Sequence, residues 1–311
     1  MEPFRQHVGI AIDGGGIRGI IVARALAMLE EHLGQSAHQT FRLTAGTSTG
    51  SVISAGIAVG LTGEAMYRLY RELAGAIFPR SWRSVLWPLT RYRYPIEPLQ
   101  EQLRRYLGTL TMGDLWQAEP ATDLVTTTFD LLDNRTRFVK PWKAEYAPWP
   151  VVQAVLASCA VPTYFPVIAG RYVDGGVGSY ANPCYLAAYE ARFCLGWDPQ
   201  ETTIISLGTG RLPRTLQPGM AERFWTWDWL MPVLGAFEQS AADQQVHLVD
   251  TFFDQLDFRR FQVDLREPIQ MDDVGQLDRL AAYGVELGHM ILDDQLDRAM
   301  GITALRAPQP E

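Results

Sequence analysis

The residues with the clearest chemical potential form a short turn, Gly46-Thr47-Ser48-Thr49-Gly50, which has the G-x-S-x-G spacing. In this spacing a sharp corner joins a strand to a helix and leaves no room for a Cβ two residues before or after the serine. Ser48 would then stand at the tip of the corner and at a helix N-terminus, where unpaired N–H groups stabilise a nearby anion. The motif is typical of a nucleophilic serine, but taken alone it fits a glycine-rich turn with an incidental serine equally well.

A second glycine-rich turn, Asp13-Gly14-Gly15-Gly16-Ile17-Arg18-Gly19, lies between a short apolar run and a helical pattern. In such a loop, successive N–H groups converge on a helix N-terminus and can hold an anion. The loop also matches G-x-G-x-x-G, but dinucleotide binding requires an acidic residue at the end of the second strand. That strand ends here in Gly46, while Glu30 and Glu31 lie at the end of the first helix. A nucleotide-binding module therefore stays only as an alternative.

A third position, Asp174, ends a short β-rich run and precedes Gly175 and Gly176. An ordinary turn aspartate has the same appearance, because its side chain bonds its own backbone. All three positions follow predicted strands, however, and the carboxyl ends of parallel strands meet at one edge of a sheet. Histidine is the usual base for serine, yet His247 and His289 fall within helical patterns. The sequence therefore favours a Ser48–Asp174 dyad, with a Ser-His-Asp esterase of the α/β-hydrolase type as the alternative.

The elements that would position these residues alternate between strands and longer helices. This alternation predicts one α/β domain over residues 1–311, with a mainly parallel central sheet covered by helices on both faces. The core motifs fall within 8–210, and 211–311 is a largely helical portion. The predicted strands lie at 8–13, 41–45, 123–130, 135–139, 171–174, 203–207 and 258–265.

Composition narrows the class of protein. The 311 residues are 47% hydrophobic and 20% charged, which is typical of a globular chain with a sizeable core. A net charge of −8 repels nucleic acid phosphates, so we expect no nucleic acid polymer as a partner. The three cysteines lack metal-ligand spacing with histidine, so no structural zinc site is expected. The N-terminus lacks the pattern of a secretory signal, and the apolar stretches are too short to span a bilayer. We therefore expect a cytoplasmic protein, with an oligomeric state that the sequence leaves open.

Two aromatic segments are open to more than one interpretation. Residues 77–95 combine aromatic side chains with four arginines and three prolines. They could form a lid or a peripheral membrane contact, where Trp and Tyr lie at headgroup depth and Arg meets phosphate, or they could pack on the core. Residues 224–229 could flank an acyl-binding groove, but their pattern favours a buried helix face.

Taken together, the three motifs resemble those of the patatin-like phospholipases. The resemblance covers roughly residues 8–210, includes further blocks at 157–165, 182–183 and 206–210, and has a weaker echo at 271–273. It implies that Ser48 is the nucleophile, that Asp174 is the general base, and that the glycine loop is the oxyanion hole. The residues that would form or support this hole are Gly14, Gly15, Gly16 and Arg18. The flanking motif positions are Gly46, Thr49, Gly50, Gly175 and Gly176.

The same resemblance implies a lipid acyl hydrolase of the phospholipase A type that needs no cofactor. Its substrate would be a phospholipid or another acyl-ester lipid, and the reaction would pass through an acyl-enzyme. The headgroup, the acyl position and the chain length are not indicated by any motif.

Overall fold

The computed structural model describes residues 1–78, 89–119, 121–212 and 216–297. Within these ranges seven strands form one sheet. They are β1 (His7–Ile12), β2 (Leu43–Gly46), β3 (Asp123–Asp130), β4 (Arg135–Val139), β5 (Tyr172–Asp174), β6 (Thr202–Leu207) and β7 (Asp257–Phe261).

The sheet is mainly parallel. Its strand order is β4-β3-β2-β1-β6-β7, and the β3–β2, β2–β1, β1–β6 and β6–β7 pairs are all parallel. Strand β4 returns antiparallel along β3 and forms one edge. The carboxyl ends of β1, β2 and β6 therefore meet at one edge of the sheet, and the two glycine-rich turns follow β1 and β2 there.

Strand β5 is short, and its place in the sheet positions Asp174. It pairs antiparallel with β3, with Asp174 opposite Thr128. Strand β2 pairs with the earlier part of β3 and ends at Gly46, opposite Thr126. Strand β5 thus continues the line of β2 just beyond its end, which brings Asp174 to the turn that carries Ser48.

Ten α-helices cover the sheet in the described part of the chain. They are α1 (Gly19–Leu33), α2 (Ala37–Thr40), α3 (Thr49–Ala58), α4 (Gly63–Ile77), α5 (Glu97–Leu107), α6 (Met112–Gln117), α7 (Val151–Cys159), α8 (Cys184–Tyr189), α9 (Leu230–Phe252) and α10 (Leu277–Leu292).

The helices lie on both faces of the sheet, as predicted. Because side chains alternate along a strand, Ile10 and Ile12 of β1 join the core that contains α1, α3, α4, α7 and α10. The intervening Ala11 joins a second core with α8 and the last turns of α9. In the described part of the chain, no helix is long and apolar enough to cross a bilayer.

The structure describes only part of the first aromatic segment, residues 77–95. Residues 79–88 of the 77–95 segment lie outside the described residues. On either side of them, Phe78 and Tyr94 pack edge to face with ring centroids 5.1 Å apart, while Leu89 is 83% exposed.

The prediction of a buried helix face at residues 224–229 is wrong. Trp225 is 81% exposed and Trp229 is 45% exposed. Their segment leads into the first turns of α9, which project beyond the sheet, so the body of the protein offers no surface to cover them.

Candidate active site

Ser48 lies on a strained corner between β2 and α3. Its backbone has φ 53° and ψ −126°, a conformation that non-glycine residues rarely adopt. The corner is possible because Gly46 and Gly50 pack directly against each other, and a Cβ on Gly50 would overlap the carbonyl oxygen of Ile12. Two neighbours fix the backbone, since the Ser48 N–H donates to Ser158 Oγ at 2.9 Å and its carbonyl accepts from Ser51 Oγ at 2.6 Å. The geometry is that of a nucleophile elbow.

The Asp174 carboxylate lies beside the Ser48 hydroxyl and is only 4% exposed. Its Oδ1 accepts from the Gly176 N–H at 2.8 Å, while Oδ2 has no well-formed hydrogen bond from the described residues. Burial raises the pKa of Asp174 to about 7, and the Ser48 hydroxyl and the Gly176 N–H oppose this rise by hydrogen bonding. A carboxylate with a pKa near neutrality is suited to accept a proton from a serine.

The glycine loop lies next to this pair. A Cβ on Gly14 would be 3.4 Å from the Ser48 Cβ, so the loop and the elbow are in van der Waals contact. The Gly14 N–H donates to the Ala181 carbonyl at 2.9 Å, and the Arg18 N–H donates to the Gly15 carbonyl at 3.2 Å. These two amides are thus already engaged.

Three amides near Ser48 remain available. Within the described ranges, the N–H groups of Gly15, Gly16 and Thr49 donate to no protein acceptor. Gly15 and Gly16 have φ values of 156° and 60°, which turn the loop sharply and which only glycine adopts without strain. Thr49 is the first residue of α3, so its N–H is free by position and lies at the positive end of the helix. These amides are the ones that can bind a developing oxyanion.

Residues much later in the chain contact the glycine loop and fix its position. The Arg18 guanidinium donates to the carbonyls of Gly15 at 3.3 Å and of Gly210 at 3.2 Å, so Arg18 supports the loop by its side chain. Thr209 Oγ1 donates to the Gly14 carbonyl, and the Ile17 N–H donates to the Met271 carbonyl at 2.9 Å. Residues 206–210 and 271–273, noted in the sequence, therefore pack against the loop.

Arg260 was missed by the sequence reasoning. It lies on β7, is 4% exposed, and donates to both Asp13 carboxylate oxygens, at 2.8 and 2.5 Å. It also donates to Ser206 Oγ at 2.8 Å. Asp13 begins the glycine loop, so this bidentate pair ties the loop to the far strand of the sheet. The available signal was the pair of adjacent arginines, Arg259 and Arg260, between the phenylalanines of this strand.

An apolar cavity of about 60 Å³ opens beside Ser48. Gly16 and Thr49 line it next to Ser48, and α4 supplies Leu73 and Ile77. Its remaining walls are almost wholly apolar and come from several elements: Ile17, Val52, Tyr70, Ala74, Phe78, Leu99, Cys159, Val161, Tyr164, Phe165 and Met271. Such a lining favours a hydrocarbon chain over a polar group beside the Ser48 hydroxyl.

The two histidines considered as bases lie elsewhere. His247 is on α9, where its Nδ1 is 3.5 Å from Thr251 Oγ1. His289 is exposed on α10 and lines a separate, charged cavity of about 710 Å³ with Arg211 and Asp264. Neither histidine is among the described residues that line the cavity at Ser48. Among the described residues, no group of three His, Cys, Asp or Glu side chains could hold a metal ion.

Comparisons with known proteins found related sequences and structures. The sequence model of the family described as "Patatin-like phospholipase" matches residues 10–188. The chain is 29% identical over 294 residues to a cGAMP-activated phospholipase of Pseudomonas aeruginosa, covering 88% of this chain and 83% of that protein. It is 30% identical over 224 residues to an intracellular phospholipase A2 of Caenorhabditis elegans, covering 67% of this chain but only 20% of that protein.

Among solved structures, the chain resembles VipD from Legionella pneumophila. The TM-score is 0.49 at 14% identity, and the match covers 94% of this chain and 67% of that one. Arg260 and Met271 lie beyond the residues that the family model matches.

Proposed function

This chain belongs to the patatin-like phospholipase family, and from that premise we propose that it is a lipid acyl hydrolase of the phospholipase A type. In this proposal Ser48 is the nucleophile and Asp174 the general base in the cleavage of acyl esters of phospholipids or related lipids. One observation carries the proposal: the Ser48 hydroxyl stands on a strained elbow beside a buried carboxylate with a raised pKa and at the mouth of an apolar cavity.

The first half of the reaction forms an acyl-enzyme. Asp174 takes the proton of Ser48 Oγ as that oxygen attacks the ester carbonyl. The oxygen of the tetrahedral intermediate lies against the free N–H groups of Gly15, Gly16 and Thr49, and each such donor contributes about 3 kcal/mol to barrier lowering. Collapse of the intermediate then expels the alcohol, which takes its proton from Asp174.

The second half releases the acid. Asp174, again ionised, removes a proton from a water molecule that attacks the acyl-enzyme carbonyl. The same amides stabilise the second oxyanion, and Ser48 leaves with the proton that Asp174 returns. The apolar cavity holds the acyl chain during both halves, so its carbonyl stays within reach of the elbow.

Peripheral contact with a membrane through residues 77–95 is part of the proposal. Ile77 and Phe78 line the cavity, and Leu89 follows the undescribed stretch and is 83% exposed. A segment that begins at the cavity wall and carries the exposed side chains of Leu89 and Arg91 is placed to meet a lipid surface.

The alternatives have less support. A histidine-based triad requires an imidazole beside Ser48. His247 lies instead on α9 next to Thr251, and His289 is exposed on α10. A dinucleotide site requires an acidic residue at the end of β2, but β2 ends at Gly46 and leads directly into Ser48.

Mass-spectrometric profiling of products from mixed phospholipids tests the proposal. The wild-type chain should release free fatty acids, while Ser48→Ala and Asp174→Asn should each release none above background. The His247→Gln/His289→Gln double variant is the matched control and should retain near wild-type turnover. Wild-type protein that releases no fatty acid, or a double histidine variant that is inactive although folded, would contradict the proposal.

A further inference from the structure

Helix α9 extends well beyond the sheet that it covers. It connects the parallel strands β6 and β7, so it runs against them and begins at their carboxyl edge, where Ser48 and the glycine loop lie. Its 23 residues measure about 35 Å, whereas the six residues of β6 measure about 20 Å. The helix therefore overshoots the strand by roughly 15 Å, or about ten residues.

The buried and exposed residues locate this overshoot at the start of the helix. Residues 235–240 are all exposed, while Gln245, Val246 and Val249 are buried. Gln245 Nε2 donates to the Ser179 carbonyl at 3.3 Å, which fastens the second half of α9 to the loop that follows Asp174. The first half thus projects beside the catalytic crevice.

The projecting part carries an apolar stripe. Trp225, Trp229, Val233 and Phe237 recur every fourth residue, and they are 81%, 45%, 38% and 69% exposed. We call these four residues the α9 stripe. Val233 and Phe237 lie on the first turns of α9, Trp229 ends the 3₁₀ turn Thr226–Trp229 that leads into the helix, and Trp225 comes just before that turn. A row of exposed, large apolar side chains of this kind marks an interaction site.

The first half of α9 lies on the same side of the sheet edge as the reacting groups. Glu238 follows Phe237 in the chain, and its charge adds to the effect of burial in raising the pKa of Asp174. A surface seated on the stripe would therefore lie next to the mouth of the crevice.

Charge identifies the kind of partner. Between residues 216 and 243 the charged residues are four acids and one base, Glu222, Arg223, Asp228, Glu238 and Asp243, which gives a net charge of −3. The whole chain also carries a net charge of −8. Anionic membranes and nucleic acids are repelled by such a surface. An uncharged or zwitterionic lipid interface is not, and it is where Trp and Phe side chains partition.

We propose that the α9 stripe inserts into the surface of uncharged or zwitterionic lipid aggregates and holds the crevice against its substrate. This inference rests on the proposed function, since it assigns a docking surface to the same site. Insertion is driven by apolar burial, so binding is insensitive to salt and weakens as anionic lipid is added.

The chain offers a matched control for the test. Phe237 and Phe252 are both 69% exposed and both lie on α9, Phe237 in its projecting first half and Phe252 at its last residue. We would compare Trp225→Ser/Phe237→Ser with Phe252→Ser in co-sedimentation with phosphatidylcholine vesicles, using the Ser48→Ala background so that the lipid is not consumed. The stripe variant should bind at least tenfold more weakly, because each large side chain contributes about tenfold to partitioning. The Phe252→Ser variant should bind normally.

Turnover separates this inference from the proposed function. With Ser48 intact, the stripe variant should lose about tenfold activity on phosphatidylcholine vesicles and keep its activity on soluble p-nitrophenyl butyrate. Wild-type protein that hydrolyses neither substrate would contradict the proposed function. The comparison of vesicle binding between the variants would still test the α9 stripe. The inference is overturned if the stripe variant binds vesicles normally or if phosphatidylglycerol strengthens binding. It is also overturned if the substitutions convert an oligomer to a monomer in analytical ultracentrifugation, since a second copy would then cover the stripe.

Discussion

The pH dependence of catalysis provides a direct test of the dyad. Burial raises the pKa of Asp174 from 3.8 to about 7, against the opposing hydrogen bonds of Ser48 and Gly176. The base must be ionised to take the serine proton, so activity should rise with pH through this value. At pH 6, kcat/KM should be about a tenth of its high-pH plateau, and at pH 7 about half. An ordinary exposed aspartate would keep the activity constant over this whole range.

The assay uses p-nitrophenyl butyrate, a neutral soluble ester, read at the isosbestic wavelength of p-nitrophenol. Circular dichroism at each pH confirms that the protein stays folded. The Glu238→Gln variant adds a second measurement, because removing this nearby charge should move the acid limb to lower pH. An acid limb with its midpoint at pH 5 or below would refute the assignment of Asp174 as a buried base.

Three further predictions concern stability. Ionisation of buried Asp174 destabilises the folded protein as pH rises from 3.8 to about 7, because the pKa of this carboxyl is higher in the folded state than in the unfolded state. In urea titrations, Asp174→Asn should therefore raise the free energy of unfolding by about 4 kcal/mol at pH 8 and leave it unchanged at pH 3. Gly50→Ala should abolish soluble expression or lower Tm sharply in calorimetry, because the new Cβ overlaps the Ile12 carbonyl; an unchanged Tm would contradict the elbow geometry. Arg260→Met should cost about 3–5 kcal/mol by leaving Asp13 buried and unpaired, and adding Asp13→Asn should restore part of that loss in a double-mutant cycle.

The local elements were largely predictable. Strands at Asp123–Asp130 and Arg135–Val139 lie where the β-rich runs predicted them. The other predicted strands begin and end within four residues of the strands in the structure. These features depend on side-chain periodicity and on turn residues that are neighbours in the chain, so the sequence contains the needed information.

Other features of the site depend on residues far apart in the chain. The bidentate pair of Asp13 with Arg260 requires β1 and β7 to share a sheet, with β6 between them. The exposure of Trp225 follows from the length of α9 relative to β6, and the aromatic pattern alone wrongly favoured burial. The amides of the glycine loop stay free only where no carbonyl packs against them. The Gly14 N–H, for example, is occupied because it donates to the Ala181 carbonyl.

The sequence by itself determined where the backbone must turn so sharply that only glycine fits. These glycine-marked turns identified Ser48, the glycine loop and Asp174 as the candidate reactive groups. Only the tertiary structure decided that β5 extends the line of β2, so that the carboxylate meets the hydroxyl, and that burial raises the pKa of that carboxylate toward 7. The physical reason is that steric requirements of a turn act between neighbouring residues, whereas desolvation and charge pairing are set by every element that packs around a group.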